Sequence, residues 1–448
     1  MLHGAQESKN GEVAKPEPRE NPLAERNPHK LWKGVWFLLL LLASVEFVAR
    51  GPWRAISDSG DFAVPYLSAR AWLRGDNPYD HNLLDQLWAE AGGSPESKPL
   101  KSNTPAVYPP TTLAAIAPLA LLNWPAASAT LLLINSLFAL CSLAAMASTA
   151  GLNWREPRGG LFLVLGLAFA PLHTGIAHGN LIIPAAASAI LAIWVSSRKR
   201  NLLAGALLAL ATCLKPQIGG VVLLGYAIRR RWRICALAGV LLLALAGLSV
   251  LRLEIAGIDW LPNWLSNSAD FAAAGGANDP TAANRSRHHL INLHWPLYAI
   301  FDQAQTVNLL VFLFAGVLLL IYLFTIRREP EGKLLSISAI AVLSLAVIYH
   351  RFYDAVLLLL PLAWSLTAWR GQLKRVARLS FLLILPFLIP GAVMLQELSR
   401  AGRLPAFLND SWWWNRLVLP HQVWAVALLA ICLVYAQART LKPVTTGQ

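Results

Sequence analysis

The feature that most restricts how this chain can fold is a series of long apolar runs separated by short clusters of lysine and arginine. Runs such as Ala126–Thr149 and Ala236–Val250 approach or reach the roughly 20 apolar residues that a helix needs to cross a bilayer. Inside lipid, a helix satisfies its own backbone hydrogen bonds. Composition agrees, because 14% of the residues are charged, against about a quarter in soluble proteins. The sequence therefore predicts an all-α polytopic membrane protein.

The basic clusters indicate the orientation of these helices, since lysine and arginine are enriched in cytoplasmic loops. Arg198-Lys199-Arg200 and Arg229-Arg230-Arg231 are two such clusters, and clusters of this kind account for the net charge of +14 without a nucleic-acid partner. We predict about twelve transmembrane helices with both termini cytoplasmic. The predicted spans cover 32–49, 126–149, 160–172, 180–195, two helices within 202–228, 235–251, 306–326, 334–349, 353–369, 379–395 and 421–438.

The same pattern divides the chain into one membrane domain and two tails. The predicted divisions are a disordered cytoplasmic tail at 1–31, a single transmembrane domain at 32–438 with large outer loops at 50–123 and 252–305, and a cytoplasmic tail at 439–448. Residues 111–122 are apolar but short, and residues 66–88 mix apolar and basic side chains around the turn cluster Gly75-Asp76-Asn77-Pro78. We expect helices of the outer interface in both segments.

Two carboxylates, Asp58 and Asp61, follow the first predicted span. A carboxylate in a partly desolvated cleft can take a proton from a sugar hydroxyl. On spacing alone, such acids are more often solvated loop residues or helix caps.

Lys215 stands at the predicted outer turn between two short apolar helices. Ionisable groups at this depth are costly and usually functional, and a cation at the headgroup level suits a phosphate. A lysine that extends to the interface is an equally good explanation.

Further polar residues fall on the same predicted side of the membrane. His350 and Asp354 belong to the outer turn of a helical hairpin, which suits anion binding, proton relay or simple helix capping. The others occupy further outer turns and are Asn180, Arg287, His288 and His289. Their convergence on one side favours a binding or catalytic site.

A set of short motifs then occurs in one order along the chain. The motifs are Gly60-Asp61-Phe62, Ala69-Arg70, Pro78-Tyr79-Asp80, Tyr108-Pro109-Pro110, Gly179-Asn180-Leu181, Lys215-Pro216-Gln217, and His350 followed by Tyr353-Asp354. In this ordered set, over about residues 56–361, the chain resembles glycosyltransferase family 87. The segment 285–294 is richer in histidine and arginine than the family pattern.

The resemblance implies a GT-C-type fold, a polyprenyl-phosphate sugar as donor and mannose as the transferred sugar. It also implies that Asp61 is the general base and that His350 is a second active-site residue. The remaining predicted substrate-binding residues are Asp58, Arg70, Tyr108, Asn180, Lys215, Gln217, Arg287, His288, His289 and Asp354.

The residues themselves also favour a lipid-linked donor, because the chain has neither a predicted cytoplasmic domain for nucleotide sugars nor an Asp-x-Asp pair. We expect an inverting enzyme of the bacterial cytoplasmic (inner) membrane, with an outward-facing site. Its expected partners are the polyprenyl-phosphate sugar, a lipid or glycan acceptor and membrane lipids, with no cofactor and no metal site. A transporter or lipid flippase is the alternative from another class, and a surface-glycan polymerase or ligase is a chemically adjacent one.

Overall fold

Helices provide the regular structure wherever the chain can be described. The computed structural model describes residues 28–57, 59–94, 105–326 and 334–440. Within these ranges there is no β-strand, and Leu290 and Arg351 form an isolated antiparallel bridge. The first helices are α1 (Pro28–Arg50), α2 (Pro52–Ala55), α3 (Gly60–Arg74), α4 (His81–Glu90), α5 (Pro110–Ala120), α6 (Trp124–Thr149), α7 (Pro157–Leu167), α8 (Ala170–Ala177), α9 (Ile182–Ser197), α10 (Asn201–Leu214) and α11 (Pro216–Ile228). The later helices are α12 (Trp232–Ile255), α13 (Trp260–Ala272), α14 (His294–Phe301), α15 (Ala304–Ile326), α16 (Leu334–Val347), α17 (Leu359–Thr367), α18 (Lys374–Ile384), α19 (Gly391–Arg400), α20 (Phe407–Asp410) and α21 (His421–Arg439).

The predicted polytopic bundle is confirmed, with spans of two kinds. Eight helical segments of the described chain are long and apolar enough to cross a membrane: Gly34–Ala55, Trp124–Thr149, Pro157–Ala177, Trp232–Ile255, Ala304–Ile326, Phe352–Arg370, Lys374–Arg400 and His421–Arg439. The other four predicted spans correspond to α9, α10, α11 and α16, which have only 13 to 16 residues. At 1.5 Å per residue these are about 20–24 Å long, shorter than a hydrocarbon core of about 30 Å.

The two predicted outer loops are largely helical. The first contains α2 to α5, and the second contains α13 and α14. The turn at Gly75 is confirmed, since this residue ends α3 in the left-handed conformation with φ of 81°. One expectation changes, because α3 is not a surface helix. Residues 62–69 of α3 are buried, since α5 packs along them and Phe62 stacks on Trp124 with 5.9 Å between ring centroids.

Several turns next to the short helices lie at one end of the bundle. Lys215 has an extended backbone between α10 and α11 because the following proline disfavours helical geometry. The turn after α8 and the segment after α16 reach the same end, where the 3-10 helix Phe352–Leu358 packs on α8 and α9. The opposite ends of α9 and α11 lead into the basic clusters at Arg198 and Arg229.

Candidate active site

Asp61 lies in the first turn of α3. Its backbone N–H donates to the His178 carbonyl oxygen at 3.1 Å, and its Oδ2 accepts from Asn180 Nδ2 at 2.8 Å. Asn180 is 2% exposed, whereas Asp61 is only partly buried. A helix N-terminus also favours a negative charge. Asp61 is therefore held as an oriented carboxylate in a residue that remains partly exposed.

The turn that carries Asn180 depends on Gly179. This residue has φ of 63°, and a Cβ added there would lie 3.2 Å from Ser59 Cβ. Glycine therefore supplies both the left-handed backbone and the close approach to the start of α3. The approach brings Asn180 to Asp61 across 119 positions of sequence.

Asp354, Lys215 and His350 form a second, enclosed cluster. Asp354 Oδ1 accepts from Lys215 Nζ at 3.1 Å, while Oδ2 is 3.2 Å from His350 Nδ1 and accepts from the Arg351 backbone N–H at 3.1 Å. Lys215 is 6% exposed, and both Asp354 and His350 are 0% exposed. Lys215 Nζ also lies 4.7 Å from the centre of the Tyr353 ring. The positive charge of Lys215 is thus balanced inside the protein.

His350 keeps one ring nitrogen available. Its Nδ1 faces Asp354, which orients the imidazole. Its Nε2 is buried and has no hydrogen-bond partner in the described part of the chain. A substrate oxygen is the kind of group that could complete this atom's hydrogen bonding.

Arg351 supplies a cation that the choice of site residues from sequence missed. Its Nε donates to the Tyr349 hydroxyl at 2.8 Å, and its Nη2 donates to the Ala277 carbonyl oxygen at 3.2 Å. Both acceptors are neutral, and Asp61 is among the charges that act on this guanidinium. Burial raises the pKa of Tyr349 to about 12, so its hydroxyl stays neutral at physiological pH. Arg351 is therefore a cation near Asp61 that has no ion-pair partner among the described residues.

Tyrosines complete the surroundings of the two carboxylates. Tyr108 and Tyr353 both lie within electrostatic range of Asp61 and Asp354. The Tyr108 carbonyl oxygen accepts from the Tyr79 hydroxyl at 2.9 Å, which ties the segment before α5 to the turn before α4. Burial, with Asp61 next in importance, raises the pKa of the Tyr108 phenol. It can therefore act as a neutral hydrogen-bond donor.

The second outer loop joins the site through its backbone. Ile291 N–H donates to the His350 carbonyl oxygen at 3.1 Å, next to the bridge between Leu290 and Arg351. This pairing brings His289 close enough to Arg351 and His178 for electrostatic interaction with both. Burial, reinforced by His288, lowers the pKa of His289 to about 3. Burial, reinforced by Arg400, lowers the pKa of His288 to about 4, so both rings are neutral at pH 7.

Three described members of the predicted set, Arg70, Gln217 and Arg287, form no side-chain hydrogen bond or ion pair with this constellation. Arg287 begins the 3-10 helix Arg287–His289 of the second outer loop. Arg70 lies near the far end of α3, where its Nη1 donates to the Tyr66 hydroxyl and to the carbonyl oxygens of Ala120 and Leu122. These bonds tie α3 to the end of α5. Gln217 lies in the first turn of α11, two residues after Lys215. Asp58 lies outside the described residues.

A profile comparison decides the family of the chain. The profile of glycosyltransferase family 87 matches residues 106–349, more than half of the chain. The chain belongs to glycosyltransferase family 87. Comparison with curated proteins and with solved structures gave no match.

As a membrane glycosyltransferase of family 87, the protein must bind a sugar donor and an acceptor. Membership of this family favours the enzyme over the transporter or flippase alternative. Asn180, Lys215 and His289 lie within the matched residues, whereas Asp61 and Asp354 lie on either side of them. The contacts of Asp61 with Asn180 and of Asp354 with Lys215 join these flanking residues to the matched region.

Proposed function

We propose that this glycosyltransferase moves a hexose, with mannose the expected sugar, from a polyprenyl phosphate to a lipid or glycan acceptor. The reaction is assigned to the outer face of a bacterial inner membrane. One observation carries the proposal: an oriented, partly exposed carboxylate at Asp61 stands near a cation, Arg351, whose side-chain partners are neutral. A base for a hydroxyl and a cation for a phosphate are the two groups that such a transfer needs.

In the proposed step, Asp61 accepts the proton of the acceptor hydroxyl while that oxygen attacks the sugar C1. The bond between C1 and the phosphate oxygen breaks, and its electron pair leaves with the polyprenyl phosphate. Attack opposite the leaving group inverts the configuration at C1. A phosphate is a competent leaving group, so charge stabilisation matters more than a general acid.

The departing phosphate is assigned chiefly to Arg351, because His350 Nδ1–H donates to Asp354 and leaves Nε2 of the neutral ring as an acceptor. Arginine suits phosphate because its guanidinium offers a planar fork of donors. Lys215 has three N–H donors, and one of them is used by Asp354. It can therefore contribute a second hydrogen bond to the phosphate, although its charge is already balanced. The proposed mechanism uses no metal or cofactor.

The test is transfer by the purified protein in lipid nanodiscs. The protein is incubated with polyprenyl-phosphate mannose and a bacterial lipid extract, and the products are identified by mass spectrometry, with and without EDTA. A product heavier by one hexose that is absent with Asp61→Asn supports the proposal, and NMR of the linkage then tests inversion. Addition of a whole oligosaccharide would instead support the ligase alternative. Transfer from nucleotide sugars alone would contradict the assigned donor.

A further inference from the structure

A polar cavity lies at the second outer loop. It has a volume of 390 Å³ and lies between the second outer loop and the segments around α19 and Trp414. This volume falls within the roughly 300–1,000 Å³ of small-molecule sites. The cavity is called the arginine cavity below, because Arg285, Arg287 and Arg400 all line it.

The charge of the arginine cavity is only partly balanced. No aspartate or glutamate is among the described residues that line it, although Asp279 acts on Arg287 from outside the wall. Arg400 pairs with Glu397 at 2.7 Å and donates to the Arg285 carbonyl oxygen at 2.6 Å. It therefore joins the end of α19 to the second outer loop. Neither Arg285 nor Arg287 forms an ion pair in the described part of the chain. Two guanidinium groups at one cavity suit a carboxylate or a phosphate.

The rest of the wall adds apolar and polar groups to the arginines. Trp295 and Trp414 line the cavity and are 1% and 8% exposed, so Trp414 presents the larger apolar edge to a ligand. The Gln396 side chain and the Asn415 Oδ1 can meet hydroxyl groups, whereas the Asn284 amide is already bonded to Ala277, Asp279 and Ser286 and shapes the wall. An anionic sugar could use the guanidinium groups for its charge and the amide groups for its hydroxyls.

The arginine cavity is linked to the catalytic residues through two histidines. His288 lines the cavity, and its ring centroid is 4.6 Å from that of His289. His289 lies in range of Arg351 and His178, and the His178 carbonyl oxygen accepts from the Asp61 backbone. His288, His289 and His178 thus connect the arginine cavity to the surroundings of Asp61, so a ligand bound there lies next to the proposed base.

We propose that the arginine cavity is the acceptor subsite and binds an anionic carbohydrate, with its carboxylate or phosphate on Arg285 and Arg287. The acceptor role rests on the proposed function, whereas binding of the anionic sugar does not depend on it. Residues 396–419 of the wall lie outside the range matched by the family profile. Acceptor choice would thus depend partly on residues beyond that range.

The experiment measures binding without turnover. Soluble methyl β-D-glucuronide, methyl β-D-glucoside 6-phosphate and neutral methyl β-D-glucoside are titrated onto the full-length protein in nanodiscs, by saturation-transfer NMR. We expect at least one anionic sugar to bind about tenfold more tightly than the neutral one, as a charge-assisted hydrogen bond allows. The two anionic arms distinguish a uronate from a sugar phosphate. Equal affinity for all three sugars, or no binding by any, would overturn the proposal.

Variants then locate the binding. Arg285→Gln with Arg287→Gln should remove the preference for the anionic sugar, while Arg403→Gln, an exposed arginine outside the cavity, should not. If the double variant does not fold, the single Arg285→Gln change at an exposed position tests the same point through a partial loss of preference. An unchanged preference in the folded variant would overturn the assignment.

Asp61→Asn distinguishes this proposal from the proposed function. It should bind the anionic sugar as the parent does, because Asp61 does not line the cavity. Arginine-dependent binding without sugar transfer by the parent would leave the cavity assigned and refute the function. Transfer by the parent, with a KM for the acceptor unchanged in the double arginine variant, would refute the acceptor role alone.

Discussion

Asp61 and Asp354 are carboxylates of one site with opposite surroundings. Asp354 is 0% exposed, and both of its oxygens are occupied by Lys215, His350 and a backbone N–H. Asp61 is partly exposed, and the amide of Asn180 holds one of its oxygens. The nearby cations follow the same division, because Lys215 is paired with Asp354 whereas Arg351 has neutral partners.

The difference separates charges that stabilise the fold from charges that are available to a substrate. A buried ion pair offers a ligand no net charge, and removing one partner leaves the other uncompensated. A carboxylate with free capacity near an unpaired cation can instead meet a hydroxyl and a phosphate. The predictions below test this division, beginning with the largest effect.

Asp61→Asn should abolish most sugar transfer. A general base contributes about 100- to 10,000-fold in rate, and asparagine keeps the size of the side chain without the basic oxygen. Thermal unfolding and donor binding should stay near the parental values. Asp58→Asn is the neighbouring control and should lose less activity. Normal transfer by Asp61→Asn would place the base elsewhere, with His350 the next residue to test.

Asp354→Asn should chiefly destabilise the protein. Breaking a buried ion pair costs about 3–5 kcal/mol, because Lys215 would stay buried without its carboxylate. The measurement is unfolding by SDS in mixed micelles, together with the double variant Lys215→Met/Asp354→Leu. Removing both charges should recover much of the lost stability. A stable but inactive Asp354→Asn would show that Asp354 acts in the reaction and would remove the contrast with Asp61.

Arg351→Gln should weaken donor binding by about tenfold, since hydrogen bonds to charged groups are worth about 1.5–3 kcal/mol. Stability should change less than in Asp354→Asn, because the side-chain partners of Arg351 are neutral oxygens. Binding of a fluorescent polyprenyl phosphate measures the effect, and Arg70→Gln is a control arginine away from Asp61. Equal loss of donor binding in both variants would mean that Arg351 has no specific phosphate role.

His288→Gln should flatten the pH dependence of stability by a small amount. The unfolded chain binds a proton at His288 as pH falls through about 6.5, whereas the folded protein resists it until about pH 4. Stability is therefore lost as pH falls between these values. The unfolding temperature should drop less between pH 7.5 and 5 in His288→Gln than in the parent or in His81→Gln, an exposed control. An identical drop in all three proteins would show that His288 is not enclosed as an uncharged group.

Much of the fold was predictable because lipid imposes a simple pattern on sequence. Apolar runs predicted the long helices of the bundle, and the proline after Lys215 predicted the break between α10 and α11. Burial of α3 was not predictable, since its cover comes from α5 and Trp124, and local sequence does not show how those pack.

The sequence predicted many of the residues at the site, but it did not predict which of them form hydrogen bonds or ion pairs with one another. Asp61, Asn180, Lys215, His350 and Asp354 lie at one end of the bundle, as their predicted positions in outer turns required. Arg351 was not among the predicted site residues. Its charge is available only because Asp354 pairs with Lys215, and the sequence does not show that pairing. Asp354 is three residues from Arg351 in sequence, yet its side chain pairs with Lys215, 139 positions away.

The junction between the second outer loop and the His350 turn has an evolutionary consequence. It is made by main-chain groups, since Ile291 N–H donates to His350 and Leu293 N–H donates to Ala346. Main-chain hydrogen bonds do not depend on which side chains the loop carries. Substitutions at positions such as 285 and 287 can therefore accumulate while the turn keeps its shape. Related enzymes could thus exchange one acceptor for another while the transfer chemistry stays the same.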